Sequence, residues 1–407
     1  MKLCTHTSNT VIQAYIFIHY SSTITAMCLK VNHMMYHNSN PQDATTATVF
    51  NNCIELGKMH SGQGRYSLAV EQFKQALFII IQDILNENQF NKIHIAAIMD
   101  NIGTVYIMQG EYDKAIEQFN QAMIQVTLGD DRCNETARIL HNLGYAYCLQ
   151  GKHDQAIEYY TQTLAIQRAA LGECHTEIAN TICSIGGVYH SQGKYDQAIE
   201  QYTKALDMHR KAATTTSGEG GGLPYDDANT AHALLCIGCA YSCLKKRDLA
   251  IEYLTRAMDI KLTIFGNNHH ETAAALNQLG IVYNNKKMHG MAIECYTRAL
   301  AIHRSPAPSG VVHNNNHIED ILRNMGDAYN SLKMHDIAME QYTEAFAITN
   351  AKFGENHSKT LEITRDMELC IISSKKYNNN NNALWWTHLI QSSWTFLCRQ
   401  IHHITEP

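Results

Sequence analysis

The chain has 407 residues, 45% of them hydrophobic, and 32 Lys+Arg against 38 Asp+Glu give a formal net charge of −6. That is apolar material for two or three ordinary domains, which excludes a disulfide mini-protein and a wholly disordered chain, and the acidic balance disfavours a nucleic-acid surface. Only five prolines are present, where about 5% is usual, so long stretches are built from something that excludes proline.

Residues 1–48 are rich in Thr, Ser, Asn and His, show no heptad pattern and are expected to form a poorly ordered flank. The run Val11 to Tyr20 (VIQAYIFIHY) contains Gln13 and His19, follows a lone Lys2 and lacks a small-x-small cleavage site, so a signal peptide is not expected. No stretch reaches the ~18 apolar residues of a membrane span. Thirteen scattered cysteines read as buried thiols in a reducing compartment, which gives a soluble, cytoplasmic expectation.

From residue 49 the chain repeats itself. GRYSLAVEQFKQAL (from Gly64), EYDKAIEQFNQAM (Glu111), KHDQAIEYYTQTL (Lys152), KYDQAIEQYTKAL (Lys194), KRDLAIEYLTRAM (Lys246), KMHGMAIECYTRAL (Lys287) and KMHDIAMEQYTEAF (Lys333) are copies of one segment. Each follows a stretch anchored on a glycine: Gly57, Gly103, Gly144, Gly186, Gly238, Gly280 and Gly326. Their differences of 46, 41, 42, 52, 42 and 46 imply a period of about 42 with insertions. In the fourth copy Ile178, Ile182, Ile185 and Tyr189 make one helical stripe, Gly193 breaks it, and Tyr195, Ala198, Ile199, Tyr202, Ala205 and Leu206 make a second. Each unit is therefore an αα-hairpin, in which Gly186 and Ala198 permit close approach and the tyrosines fill the space beside it. Neither helix buries its stripe alone, so neighbouring hairpins must stack into a solenoid.

Counted from the anchor glycine, the offsets Gly (0), Tyr (+3), Gly (+7), Tyr (+9), Ala (+12), Tyr/Phe (+16) and Ala (+19) are all matched by the second copy (Gly103 to Ala122) and the fourth (Gly186 to Ala205). The array thereby resembles the tetratricopeptide repeat. Its period, and the connectors LGECH (Leu171), FGNNH (Phe265) and FGENH (Phe353), resemble the longer repeats of the kinesin light chain. The resemblance covers about four-fifths of the chain and implies an all-α, right-handed superhelical solenoid of antiparallel helix pairs. It also implies protein partners and cargo-adaptor duty, with a kinesin heavy chain as one expected partner; the coiled coil that joins a light chain to its motor has no counterpart in residues 1–48.

The copies depart from the pattern at His60 (+3), Thr163 (+19), and Lys245, Lys287 and Lys333 (+7). Insertions at 212–227 and 305–317 hold three of the five prolines and read as loops. A partial eighth copy runs from His357 to Tyr377 and ends at an Asn-rich linker, 378–382. In the tail, 383–407, Trp386, Ile390, Trp394, Leu397 and Ile401 fall at helical spacing and read as a capping helix for the array's apolar end.

Catalytic patterns are not found: there is no G-x-S-x-G, no H-E-x-x-H and no Glu-x-Glu of ADP-ribosylating enzymes, so no enzyme activity and no cofactor are expected. Gly193-Lys194 is not a phosphate loop, because Tyr195 stands where Ser or Thr would hold magnesium and no strand precedes it. Cys236, Cys239 and Cys243 share a helix face without an evident fourth ligand and read as packing, as do the pairs His33/His37 and His313/His317 in flanks and loops.

The functional signal lies on the first helix of each hairpin, where tetratricopeptide families line a concave groove with positions −6, −3, −2, +1 and +4. Position −2 holds Asn101, Asn142, Gln278 and Asn324, and the same face carries Arg138, His141, Asn180, His190, His232, Asn277, Asn284 and Arg323. An asparagine both donates and accepts, so a row of them suits the backbone of an extended or partly helical peptide, and the arginines suit acidic groups on it. The expected function is a non-catalytic scaffold or adaptor that grips peptide segments of partner proteins. The alternative is the regulatory or targeting half of a larger enzyme, such as an ADP-ribosylating enzyme.

Overall fold

A computed structural model of the protein describes residues 46–85, 92–127, 133–216, 228–305 and 318–377. The N-terminal flank up to residue 45, most of both insertions, both histidine pairs and the Asn-rich and Trp-containing tail lie outside these residues, while the last three flank residues, 46–48, open the first helix. Among those described, all regular structure is helical.

The chain forms two compact units, divided after Tyr225. The first holds four hairpins: α1 (Thr46–Gly62) with α2 (Tyr66–Leu85), α3 (Lys92–Gln109) with α4 (Tyr112–Thr127), α5 (Cys133–Leu149) with α6 (His153–Leu171), and α7 (Thr176–Ser191) with α8 (Tyr195–Thr216). The second holds three: α9 (Ala228–Cys243) with α10 (Arg247–Phe265), α11 (His270–Asn285) with α12 (His289–Arg304), and α13 (Ile318–Ser331) with α14 (His335–Phe353). A single helix, α15 (Ser358–Tyr377), follows. Within each unit the second helix of a hairpin packs on the first helix of the next, and successive first helices touch more lightly. Helix α8 continues to Thr216, beyond residue 212 where the insertion was expected to begin.

Three local devices make each hairpin. The first is a contact between the anchor glycine and the side chain at +16. A Cβ on Gly57, Gly103, Gly144, Gly186, Gly280 or Gly326 would sit 2.4 to 2.9 Å from the ring of Phe73, Phe119, Tyr160, Tyr202, Tyr296 or Tyr342; Leu254 takes the ring's place against Gly238. Alanines flank this side chain on the same helix and are fully buried, as at Ala198 and Ala205. Thr163 fills one alanine position, burying its hydroxyl by donating to the Tyr159 carbonyl at 2.9 Å.

The second device is the turn. In the fourth hairpin the Gly193 N–H donates to the His190 carbonyl and the Lys194 N–H to the Tyr189 carbonyl, both at 2.9 Å, which satisfies carbonyls that the helix end leaves open. The +7 residue must then be left-handed, and Gly193 has φ 74°. Lys245, Lys287 and Lys333 adopt the same conformation at φ 59°, 65° and 64°, so the substitutions at +7 leave the turn intact. The residue after the turn leans back on the +3 ring: Lys152 over Tyr147, Lys194 over Tyr189 and Lys246 over Tyr241, at 5.7 to 6.0 Å.

The third is the Gly-x-x-His connector between hairpins. Gly172, Gly266 and Gly354 end their helices at φ 81° to 87°, and the histidine three residues later caps the next helix. Nδ1 of His175, His269 and His357 accepts the backbone N–H two residues on, at 3.2 to 3.3 Å. Phe265 and Phe353 stack on His269 and His357, each at 4.5 Å between centroids.

Candidate functional site

The first helices of each unit present a shared face, and its residues mostly bond to one another. Asp100, at −3 in α3, accepts from Asn142 Nδ2 (−2, α5) at 2.7 Å and forms an ion pair with Arg138 (−6, α5). His141 Nε2 (−3, α5) lies 3.0 Å from Ser184 Oγ (−2, α7). In the second unit Asn324 Nδ2 (−2, α13) donates to Asn277 Oδ1 (−3, α11) at 3.2 Å. Arg323 (−3, α13) donates to Asp366 at 2.5 Å and to Glu362 at 2.6 Å, both on α15. In the second, third, sixth and seventh hairpins, position −3 is thus tied to the next first helix or, for the seventh, to α15, which makes a short ladder of polar bonds within each unit.

Asp100 is one of the ladder residues, with Ser184, Glu362 and Asp366, that the sequence pattern did not single out. It is 3% exposed, and burial pushes its carboxyl above the ordinary carboxylate range against the pull of Arg138 and Asn142. Only its partners, 38 and 42 residues away, reveal its role. Burial also holds His141 and His190 below the usual imidazole value, His141 despite its hydrogen bond with Asn142.

The remaining candidates divide by their neighbours. Asn284 Oδ1 lies 2.6 Å from His289 Nδ1, which ties it to its own hairpin turn. The His190 ring meets Tyr195 edge-on at 5.1 Å. Gln278 Oε1 accepts from Cys239 Sγ at 3.5 Å, and His232 Nε2 lies 3.6 Å from Cys236 Sγ. Burial, with Cys236 and Cys243 nearby, pushes the Cys239 thiol up to about 12, so it stays protonated at neutral pH. Asn180 is exposed and Asn101 half-buried, and their side-chain amides make no hydrogen bond among the described residues.

Models of the tetratricopeptide repeat match residues 135–211 and 228–305, and a further one matches 96–123, in register with the hairpins described above. Over these residues the chain is built of tetratricopeptide repeats. In its long period and Gly-x-x-His connectors this repeat protein resembles the kinesin light chain type.

Among solved structures, a tetratricopeptide repeat protein from Parabacteroides merdae is 14% identical over 79% of this chain and 99% of its own, at a TM-score of 0.46. BtubC (BKLC) from P. vanneervenii is 17% identical over 60% of this chain and 95% of its own, at 0.45. The putative kinesin light chain repeats of Podosopora anserina are 19% identical over 53% of this chain and 100% of their own, at 0.40. Comparison with the curated proteins gives no match. No helix among the described residues of the repeat protein is long and apolar enough to cross a membrane.

Proposed function

We propose that the protein is a non-catalytic scaffold that holds an extended or partly helical segment of a partner protein along its first-helix face. The observation that carries this reading is the pair of uncommitted amides, Asn101 and Asn180, on a face whose other polar groups are largely engaged. An uncommitted amide offers a donor and an acceptor to a peptide backbone whatever its side chains. Asn142, Asn277 and Asn324 belong to the ladder and keep that face in shape. Arg138 and Arg323 already hold carboxylates of their own chain, so selection of an acidic partner through them requires those pairs to open.

Affinity capture with the unaltered chain and with an Asn101→Ala/Asn180→Ala variant, read by quantitative mass spectrometry, tests the reading. The variant is expected to keep its melting temperature and lose the specific partners. Recovery of the same partners at the same abundance would refute it. Asn142→Ala and Asn324→Ala serve as the contrast, because they are expected to lower the melting temperature first.

A further inference from the structure

Between α13, α14 and α15, on the first-helix side of the second unit, lies a cavity of about 270 Å³. One water occupies about 30 Å³ of the liquid, so the space exceeds a hydration site, and it falls below the ~300 Å³ at which pockets begin to hold drug-sized ligands. It has the size for one long side chain. Asp320 and Arg323 of α13, at −6 and −3, stand at its lining with Lys359 and Glu362 of α15, while Ile363 supplies an apolar wall.

Most polar groups of this cavity are engaged with one another. Arg323 is engaged by Glu362 and Asp366, and Lys359 lies 3.3 Å from Asp320. Glu319 also lines the cavity and is 1% exposed. Its Oε1 accepts from Lys352 Nζ at 3.2 Å, and its Oε2, buried, receives no hydrogen bond among the described residues. A buried acceptor without a donor carries a desolvation cost that a ligand's donor removes. Among the described residues, the carboxylates of Glu319, Asp320, Glu362 and Asp366 meet the cations Lys352, Lys359 and Arg323 here. A cation entering here would meet Glu319 Oε2 with charge as well as a hydrogen bond, whereas an anion would be repelled by that carboxylate.

We propose that this cavity receives the cationic head of a lysine or arginine side chain from a bound segment, with its aliphatic stem on Ile363 and its head on Glu319 Oε2. The proposal rests on the groove reading above and adds a charge preference to it: at this end of the face the partner is basic.

The test uses the full chain and two soluble probes of one shape, Nα-acetyl-arginine amide and the uncharged Nα-acetyl-citrulline amide, followed by saturation-transfer difference NMR. The arginine probe is expected to bind saturably and at least tenfold more tightly than the citrulline probe. Glu319→Gln is expected to abolish that preference, and Asp320→Asn at the more open edge to weaken arginine binding severalfold. Should Glu319→Gln fail to fold, the comparison of probes on the unaltered chain and the Asp320→Asn result decide. Equal binding of the two probes, no saturable binding of either, or a preference that survives the substitutions would overturn the proposal. Its failure is separable from failure of the groove reading, because capture lost in the Asn101→Ala/Asn180→Ala variant would stand without arginine binding, and the reverse.

Discussion

The Tyr202 ring presses on Gly186 so closely that a Cβ there would lie 2.6 Å from Tyr202 Cε1 and 3.3 Å from the Ala198 carbonyl oxygen. No rotamer change of a flexible chain end relieves this, since the ring is wedged between helices and 4% exposed. Gly186→Ala is therefore expected to destabilise the array by about 1 to 3 kcal/mol, the range for an overpacked core. Tyr202→Ala alone should cost about 3 to 5 kcal/mol. Because the first change clashes mainly with the group the second removes, the double variant should cost less than the sum. Urea unfolding followed by circular dichroism measures all three, and simple additivity would show that the contact is not the cause.

Lys245, Lys287 and Lys333 occupy the left-handed region that costs a residue with a Cβ about 1 to 2 kcal/mol. Glycine removes that cost but gives back about 0.5 to 1 kcal/mol through the entropy of its unfolded chain. Each Lys→Gly change should raise stability by roughly 0.5 to 1 kcal/mol, and Gly193→Lys, at φ 74°, should lower it by a similar amount. Shifts in urea midpoint with unchanged slope would confirm both signs.

The hairpins were legible in the sequence because the offsets are steric statements. A glycine at zero, an aromatic at +16 and alanines at +12 and +19 encode one close helix contact, and each recurs often enough to be counted. The +7 lysines read as departures only because residue type stands in for φ; the backbone bonds that set the turn do not depend on the side chain. The ladder was not legible. Arg138 and Arg323 look like free cations until the fold brings Asp100, Glu362 and Asp366 against them from 38 to 43 residues away. Periodicity assigns a residue to a face but carries no information about which neighbour across that face it meets.

Asp100 gives the ladder a pH signature. Its native pKa lies above its ordinary value, because burial outweighs Arg138 and Asn142. Between those two values the native state binds more protons than the unfolded state, so stability falls as pH rises through that window. Relative to Asp100→Asn, which has no such group, the unaltered chain is expected to lose stability from the ordinary carboxylate pKa of 3.8 upward, levelling off above the native value. Arg138→Leu, which removes the opposing charge, should steepen the difference. A difference curve that rises with pH in this window would contradict the assignment.

Lys261 and Glu271 join α10 to α11 through an ion pair in which the lysine side chain is 4% exposed and the glutamate 40%. Removing the carboxylate strands an ammonium in the core, whereas removing the lysine exposes nothing buried to charge. Glu271→Ala should therefore cost about 3 kcal/mol, the lower end for a broken buried pair because water reaches the glutamate side. Lys261→Met should be neutral or stabilising, and Lys261→Met/Glu271→Ala should resemble it rather than Glu271→Ala. The pair also acts on the acid side. Burial raises the Glu271 pKa, but the hydrogen bond and charge of Lys261 pull it below the ordinary value overall. Its stabilisation is thus complete above the unfolded value and lost as pH falls through the native one. Thermal melts of the unaltered chain and of Lys261→Met across that acid range should diverge, the unaltered chain losing stability relative to the variant as the glutamate protonates, and parallel curves would refute the pairing.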